Sequence, residues 1–118
     1  MKRLRLVWLV VALLFVVGAT RADTVEAHFF YDGNQLWDSC KSNPPDIACQ
    51  SYVAGVADAM VLSDGWVGGW RACFGAHTTR GKITDVVSEW LQSHPEERAY
   101  GAPALVVEAL AHAFPCPH

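Results

Sequence analysis

"DIACQSYVAGVADAMVLS", residues 46–63, decides the fold. Cys49, Tyr52, Val53, Val56, Ala57 and Met60 recur in it at i, i+3, i+4, i+7, i+8 and i+11. That is the stripe a helix buries, whereas a strand would alternate at every second residue. The spacing predicts a helix over 46–63 with this stripe in the core. Gly55 lies off the stripe and, with Ala54 and Ala59, leaves a smooth side where another helix could approach. Asp58 reads as a solvated charge, or else as a partner for a nearby helix end.

Upstream, Asp32 to Lys41 reads as a short helix, and Ser42-Asn43-Pro44-Pro45 is a turn that the prolines enforce. Downstream, Gly65, Gly68, Gly69 and Gly75 interrupt any long helix, although Trp66 to Phe74 could hold a short one. Thr78 or Thr79 can cap a third helix, with Ile83, Val86, Val87, Trp90 and Leu91 at core spacing, ending near Ser93. Pro95, Glu96 and Glu97 favour a short helical segment that Gly101 breaks. Pro103 can open a last helix that buries Leu105, Val106, Ala109, Leu110 and Ala113 before Phe114 and Pro115 stop it. The nearest candidate strand, "VEAHFFY" at 25–31, is too short to carry a sheet. The expected fold class is therefore all-α: a small compact bundle of about four helices.

The N-terminus reads as a segment apart. Lys2, Arg3 and Arg5 precede an unbroken apolar run from Leu6 to Val17, and small residues follow at Gly18, Ala19, Thr20 and Ala22. This is the layout of a secretory signal peptide, expected over 1–22, with Ala22 as the first cleavage choice and Ala19 as the second. Residues 23–118 form the expected single mature domain. The mature chain keeps five basic residues against all twelve acidic ones, a formal charge of −7. Such a charge disfavours nucleic acid and anionic membrane as partners and suits a basic protein surface, or simply solubility.

Cys40, Cys49, Cys73 and Cys116 all lie in that mature domain. An even count in a short exported chain argues for two disulfides. Three pairings exist. In an antiparallel helix pair the last turn of the first helix lies beside the first turn of the second, and Cys40 and Cys49 occupy those turns. Cys73 is then left to pair with Cys116. The loop-entropy model assigns roughly 2.7 kcal/mol to the short bridge and roughly 4 kcal/mol to the long one.

No residue set is a specific signature of catalysis or metal binding. Cys73 with His77 would make a nucleophile and base only if Cys73 were a free thiol. Ser88, His94 and Asp85 can be collected into a triad, but no nucleophile-elbow sequence frames the serine. A zinc set of His112, Cys116 and His118, with His77 or His94, would need thiolate sulfur, and Pro115 breaks the helix that would align it. His112 and His118 read as bystanders, and no cofactor is expected. Trp66, Trp70, Arg71, Phe74 and His77 are the candidate partner-binding residues, since tryptophan and arginine dominate protein interfaces. The competing reading has Trp66 and Trp70, four apart, roofing a small core.

Five stretches occur in an informative order: "GNQLWDSC" (33–40), "CQSYVAGVADA" (49–59), a glycine-rich segment ending in Cys73, "HPEE" (94–97) and "ALAHAFPC" (109–116). Together they resemble the Rap/Tai family of immunity proteins, which protect bacteria from peptidoglycan-cleaving amidase toxins delivered by type VI secretion. Tyr52, Gly55 and Asp58, the His94-Pro95-Glu96 step and Phe114-Pro115-Cys116 are the most specific pieces. The resemblance implies a helical, disulfide-bonded periplasmic protein, often a homodimer, that plugs a toxin's active site and catalyses nothing. Family members often carry a proline soon after the third cysteine and a glutamine early in the next helix. Here Phe74-Gly75-Ala76-His77 and Gly81-Lys82 stand in those places.

Two other functions fit the composition: a small disulfide-bonded periplasmic acid-stress chaperone, and a non-catalytic periplasmic binding protein for some other partner. All three share one chemical expectation. Thiol titration of the denatured, unreduced protein should find no free cysteine; a free thiol at Cys73 would revive catalysis or metal binding.

Overall fold

A computed structural model describes Arg3 and residues 28–118. Apart from Arg3, the expected signal peptide lies outside the described residues, as do residues 25–27 of the candidate strand. Residues 28–31 of that stretch form no strand.

Among residues 28–118, four α-helices form the body: α1 (Gly33–Cys40), α2 (Ile47–Leu62), α3 (Arg80–Ser93) and α4 (Ala102–Ala113). A 3-10 turn, Pro95–Glu97, joins α3 to α4. Their starts are set by side chains that satisfy the free N–H groups of a first turn. Asp32 accepts from the Gln35 amide at 2.9 Å while the Gln35 side chain accepts from the Asp32 amide at 2.9 Å, a reciprocal capping box. Asp46 accepts from the Cys49 amide and Thr79 from the Lys82 amide, both at 3.1 Å. Of the two threonines considered for α3, Thr79 is the cap.

The expected stripe of α2 does face the core. Cys49, Val53, Ala57 and Met60 are buried there, and Tyr52 and Val56 pack partly buried at its margin. Ile83, Val87 and Leu91 of α3 meet them, with Leu105, Val106, Val107, Ala109 and Leu110 of α4. Ala113, expected to be inward, is exposed, because the buried side of α4 turns towards Val107.

The all-α expectation needs one correction. Trp66 to Phe74 holds no helix; Trp66–Val67 (β1) and Trp70–Arg71 (β2) pair as an antiparallel hairpin. Gly68 and Gly69 both take positive φ, 58° and 83°, as a two-residue hairpin turn of the right twist requires. Just before it, α2 ends on a left-handed residue, Asp64, with the Gly65 amide donating back to the Met60 carbonyl at 2.7 Å. This is the C-terminal lock usually built on glycine. It turns the chain straight into β1.

The entry to α1 is strapped onto the segment before α4. The amides of Gly33 and Asn34 donate to the carbonyls of Tyr100 and Arg98, each at 2.9 Å, and Asp32 bridges to Gly101. Arg98 also donates from Nε to the Leu91 carbonyl at 2.7 Å and sets its guanidinium over Trp37 at 4.3 Å. One arginine thereby links α1, α3 and the 3-10 turn. Close approach at Gly33 makes this possible: a Cβ there would meet the Leu105 side chain and lie 2.7 Å from Arg98 Cα. At Gly55 a Cβ would meet nothing within 4 Å.

Two bridges close the molecule, Cys40 to Cys49 and Cys73 to Cys116, with Cα separations of 5.0 and 4.9 Å. They are the pairs expected from the sequence.

The two glycines should respond with opposite signs. Gly33→Ala should destabilise by about 3 kcal/mol, because the obstacle is backbone that must shift. Gly55→Ala should stabilise by about 1 kcal/mol through helix propensity. Chemical denaturation of both variants measures the pair. Tyr52 adds a pH dependence. Burial, and then neighbouring Tyr31, push its phenol above the ordinary tyrosine value. The folded state therefore holds this proton more tightly than the unfolded chain. That increment of stability is complete below the unfolded tyrosine value and is lost as pH rises through the folded one. Thermal melts between neutral pH and pH ~11 should fall less steeply at the alkaline end for Tyr52→Phe than for the parent.

Candidate functional site

The hairpin separates the residues expected to act together. Trp66 pairs with Arg71 and Val67 with Trp70, so each pair shares one face. The Val67 and Trp70 face turns towards the body: Val67 packs on the core, and Trp70 meets the His112 ring at 5.4 Å. The Trp66 and Arg71 face looks outward. Trp66 is 55% exposed, and the Arg71 guanidinium lies over its ring at 5.6 Å. Arg71 Nε donates to the Asp64 carbonyl at 3.4 Å, which holds the side chain along the hairpin.

Neither tryptophan roofs the core, since Trp70 is also 38% exposed. Phe74 leaves the hairpin altogether, packs against Phe114 at 5.2 Å and walls a groove of about 470 Å³ between α2 and the start of α3. Asp58 and Arg80 line the same groove. His77 stands exposed in the loop between β2 and α3. The structure thus gathers Trp66 with Arg71, places Trp70 behind them, and sets Phe74 and His77 on the following segment.

His112, expected as a bystander, has a role. Its ring stacks on Trp90 at 5.1 Å and 18°, with Trp70 at its other contact and His94 stacked on Trp90 at 4.0 Å and 16°. Trp90 Nε1 donates to Glu97 at 3.3 Å, and His94 Nδ1 lies 2.8 Å from the Trp90 carbonyl. An aromatic column therefore runs from the hairpin across α4 to the end of α3. No local periodicity could reveal it, because its members come from three separate segments, β2, α3 and α4. His94 meanwhile caps both the end of α3 and the start of the 3-10 turn.

The chemical alternatives can be placed directly. Cys73 is bridged to Cys116, so it has no thiolate for His77 to activate. His94 Nδ1 is engaged with the Trp90 carbonyl, and Ser88 Oγ is buried without a hydrogen-bond partner, so no serine–histidine bond forms. The tail sulfur expected in a zinc set is likewise in the disulfide, and among the described residues no three His, Cys, Asp or Glu side chains gather as ligands. One ion pair, Lys41 to Asp38 at 2.9 Å, occurs among the described residues, so most of the acidic charge faces solvent unpaired.

Two disulfides mark a chain that folds in an oxidising, extracytoplasmic compartment. No curated protein and no solved structure matches the chain. The family of Rap1a immunity proteins matches residues 32–116, from the cap of α1 to the last disulfide sulfur. Proteins of this kind act by binding a secreted effector and are generally non-catalytic. The match covers most of the chain and every described helix, and the protein belongs to the Rap1a immunity family.

Proposed function

We propose that this protein is a periplasmic immunity protein that binds and blocks a cell-wall-degrading amidase effector delivered by type VI secretion. Family membership over residues 32–116 is the observation that carries this reading. The exposed Trp66 and Arg71 pair supports it as a contact surface, since both residue types concentrate binding energy and the hairpin already holds them in place. Residues 1–22 act as a cleaved signal peptide, which delivers the domain to the compartment where its cysteines oxidise and where such an effector acts. The formal charge of −7 on the mature chain favours a basic rim on that effector. Self-pairing also has a surface available: Ile47 and Leu62, 66% and 89% exposed, stand with Gly55 on α2.

Inhibition by occlusion needs no chemistry from the inhibitor. It needs a rigid surface and slow dissociation, and an outward hairpin braced by the aromatic column from behind provides the first of these.

Pull-down from cells challenged with the cognate effector should recover that effector with the mature protein. Trp66→Ala should weaken the complex by about 2 kcal/mol, roughly thirtyfold in Kd, while leaving the melting curve in place. Absence of protection from an effector encoded beside the gene, at full expression of this protein, would overturn the reading.

A further inference from the structure

The two disulfides occupy different environments. Cys40 and Cys49 are 2% and 0% exposed, inside the core. Cys73 and Cys116 are only half-buried, and Cys116 lies beyond the last helix in a segment without secondary structure. Thiol–disulfide exchange requires a thiolate to reach a sulfur, so access separates the two bridges kinetically.

The half-buried bridge also holds a stretch without regular structure. The stretch from Cys73 to Thr79 has no helix or strand. Its ties to the chain end are the Cys73 amide donating to the Phe114 carbonyl at 2.9 Å, the contact between Phe74 and Phe114, and the disulfide itself. Phe74, Gly75 and Thr78 of this stretch wall the groove beside α2, and His77 projects from it. By contrast Ala72, just before it, is 2% exposed in the core, so the base of the hairpin is anchored without the bridge.

We propose that the Cys73 to Cys116 bridge is a redox latch on the partner-binding surface. Oxidised, it presses Phe74 and His77 into one fixed edge; reduced, it frees residues 73–79 and 114–118 while the helical core and the inner bridge persist. A dithiol reductant supplies two electrons and two protons, the S–S bond becomes two thiols, and the reductant becomes a cyclic disulfide. A disulfide oxidant reverses the step: it takes up the two electrons and two protons and becomes the dithiol. The surface would then be complete only after the chain enters an oxidising compartment, which ties competence to location. The role of residues 73–79 in binding rests on the function proposed above; the selective opening of this bridge does not.

The test is graded reduction of the intact mature protein with dithiothreitol, quenched by an alkylating agent and mapped by mass spectrometry, with amide exchange measured in parallel. Cys73 and Cys116 should be alkylated at least about tenfold faster than Cys40 and Cys49. In the singly reduced species the amides of residues 73–79 should exchange about tenfold faster or more, with α2 and α3 still protected. Simultaneous opening of both bridges, or unchanged protection at the Cys73 amide after its bridge opens, would overturn the latch. A Cys73→Ser, Cys116→Ser variant that folds should show the same exchange pattern; if it does not fold, the reduction experiment on the native chain still decides. Effector binding separates the two proposals. Equal affinity of oxidised and singly reduced protein defeats the latch and keeps the immunity reading, whereas no binding in either state defeats the immunity reading and leaves the selective opening of this bridge to the exchange data.

Discussion

The bridge between Cys40 and Cys49 is part of the core, and the rest of the helical body depends on it. Helix α1 has eight residues, fewer than an isolated helix needs to persist in water. It is nevertheless in contact with α2, α3 and α4, and its Leu36 is completely buried among them. Three restraints hold it there: the sulfur bridge at its end, the capping box at its start, and the Gly33 and Asn34 amides bonded to the Arg98–Tyr100 connection. Two of them fix its first turn, and the bridge alone fixes its last.

Much of this organisation was legible because its causes are local. Helix starts follow from Asp32, Asp46 and Thr79, whose side chains act within three residues, and the stripe of α2 follows from spacing alone. The pairing of cysteines was legible for the same reason, as the Pro44-Pro45 turn brings two adjacent helix ends together. The hairpin was not. Its strands are two residues each, too short for alternation, and four glycines in that region read as helix breaks when two of them are the turn. Asp64 in a left-handed conformation, which redirects the chain into β1, is likewise a residue whose identity does not announce it.

The candidate site shows the same division more sharply. Trp66 and Arg71 were expected as contacts from their chemical types, but only the strand register explains why they share a face and why Trp70 does not. His112 was unreadable in principle from spacing, since its partners Trp70 and Trp90 reach it from β2 and α3. Gly33 is a third case. Its constraint comes from the Arg98 backbone, far along the chain, and nothing in "GNQLWDSC" records that neighbour.

The boundaries of the family match acquire a physical meaning from these contacts. The match begins at Asp32, the cap without which α1 loses its first turn, and ends at Cys116, the sulfur that returns the chain end to the segment after the hairpin. Between these points the core bridge fixes the helices and the half-buried bridge fixes the edge. The helical core and the segment after the hairpin therefore draw on separate cross-links. A domain arranged in this way can vary exposed Gly75, Ala76 and His77 without disturbing the packing of Val53, Val87 and Leu110, and that is the separation an inhibitor needs when its surface must follow a changing target while its core stays the same.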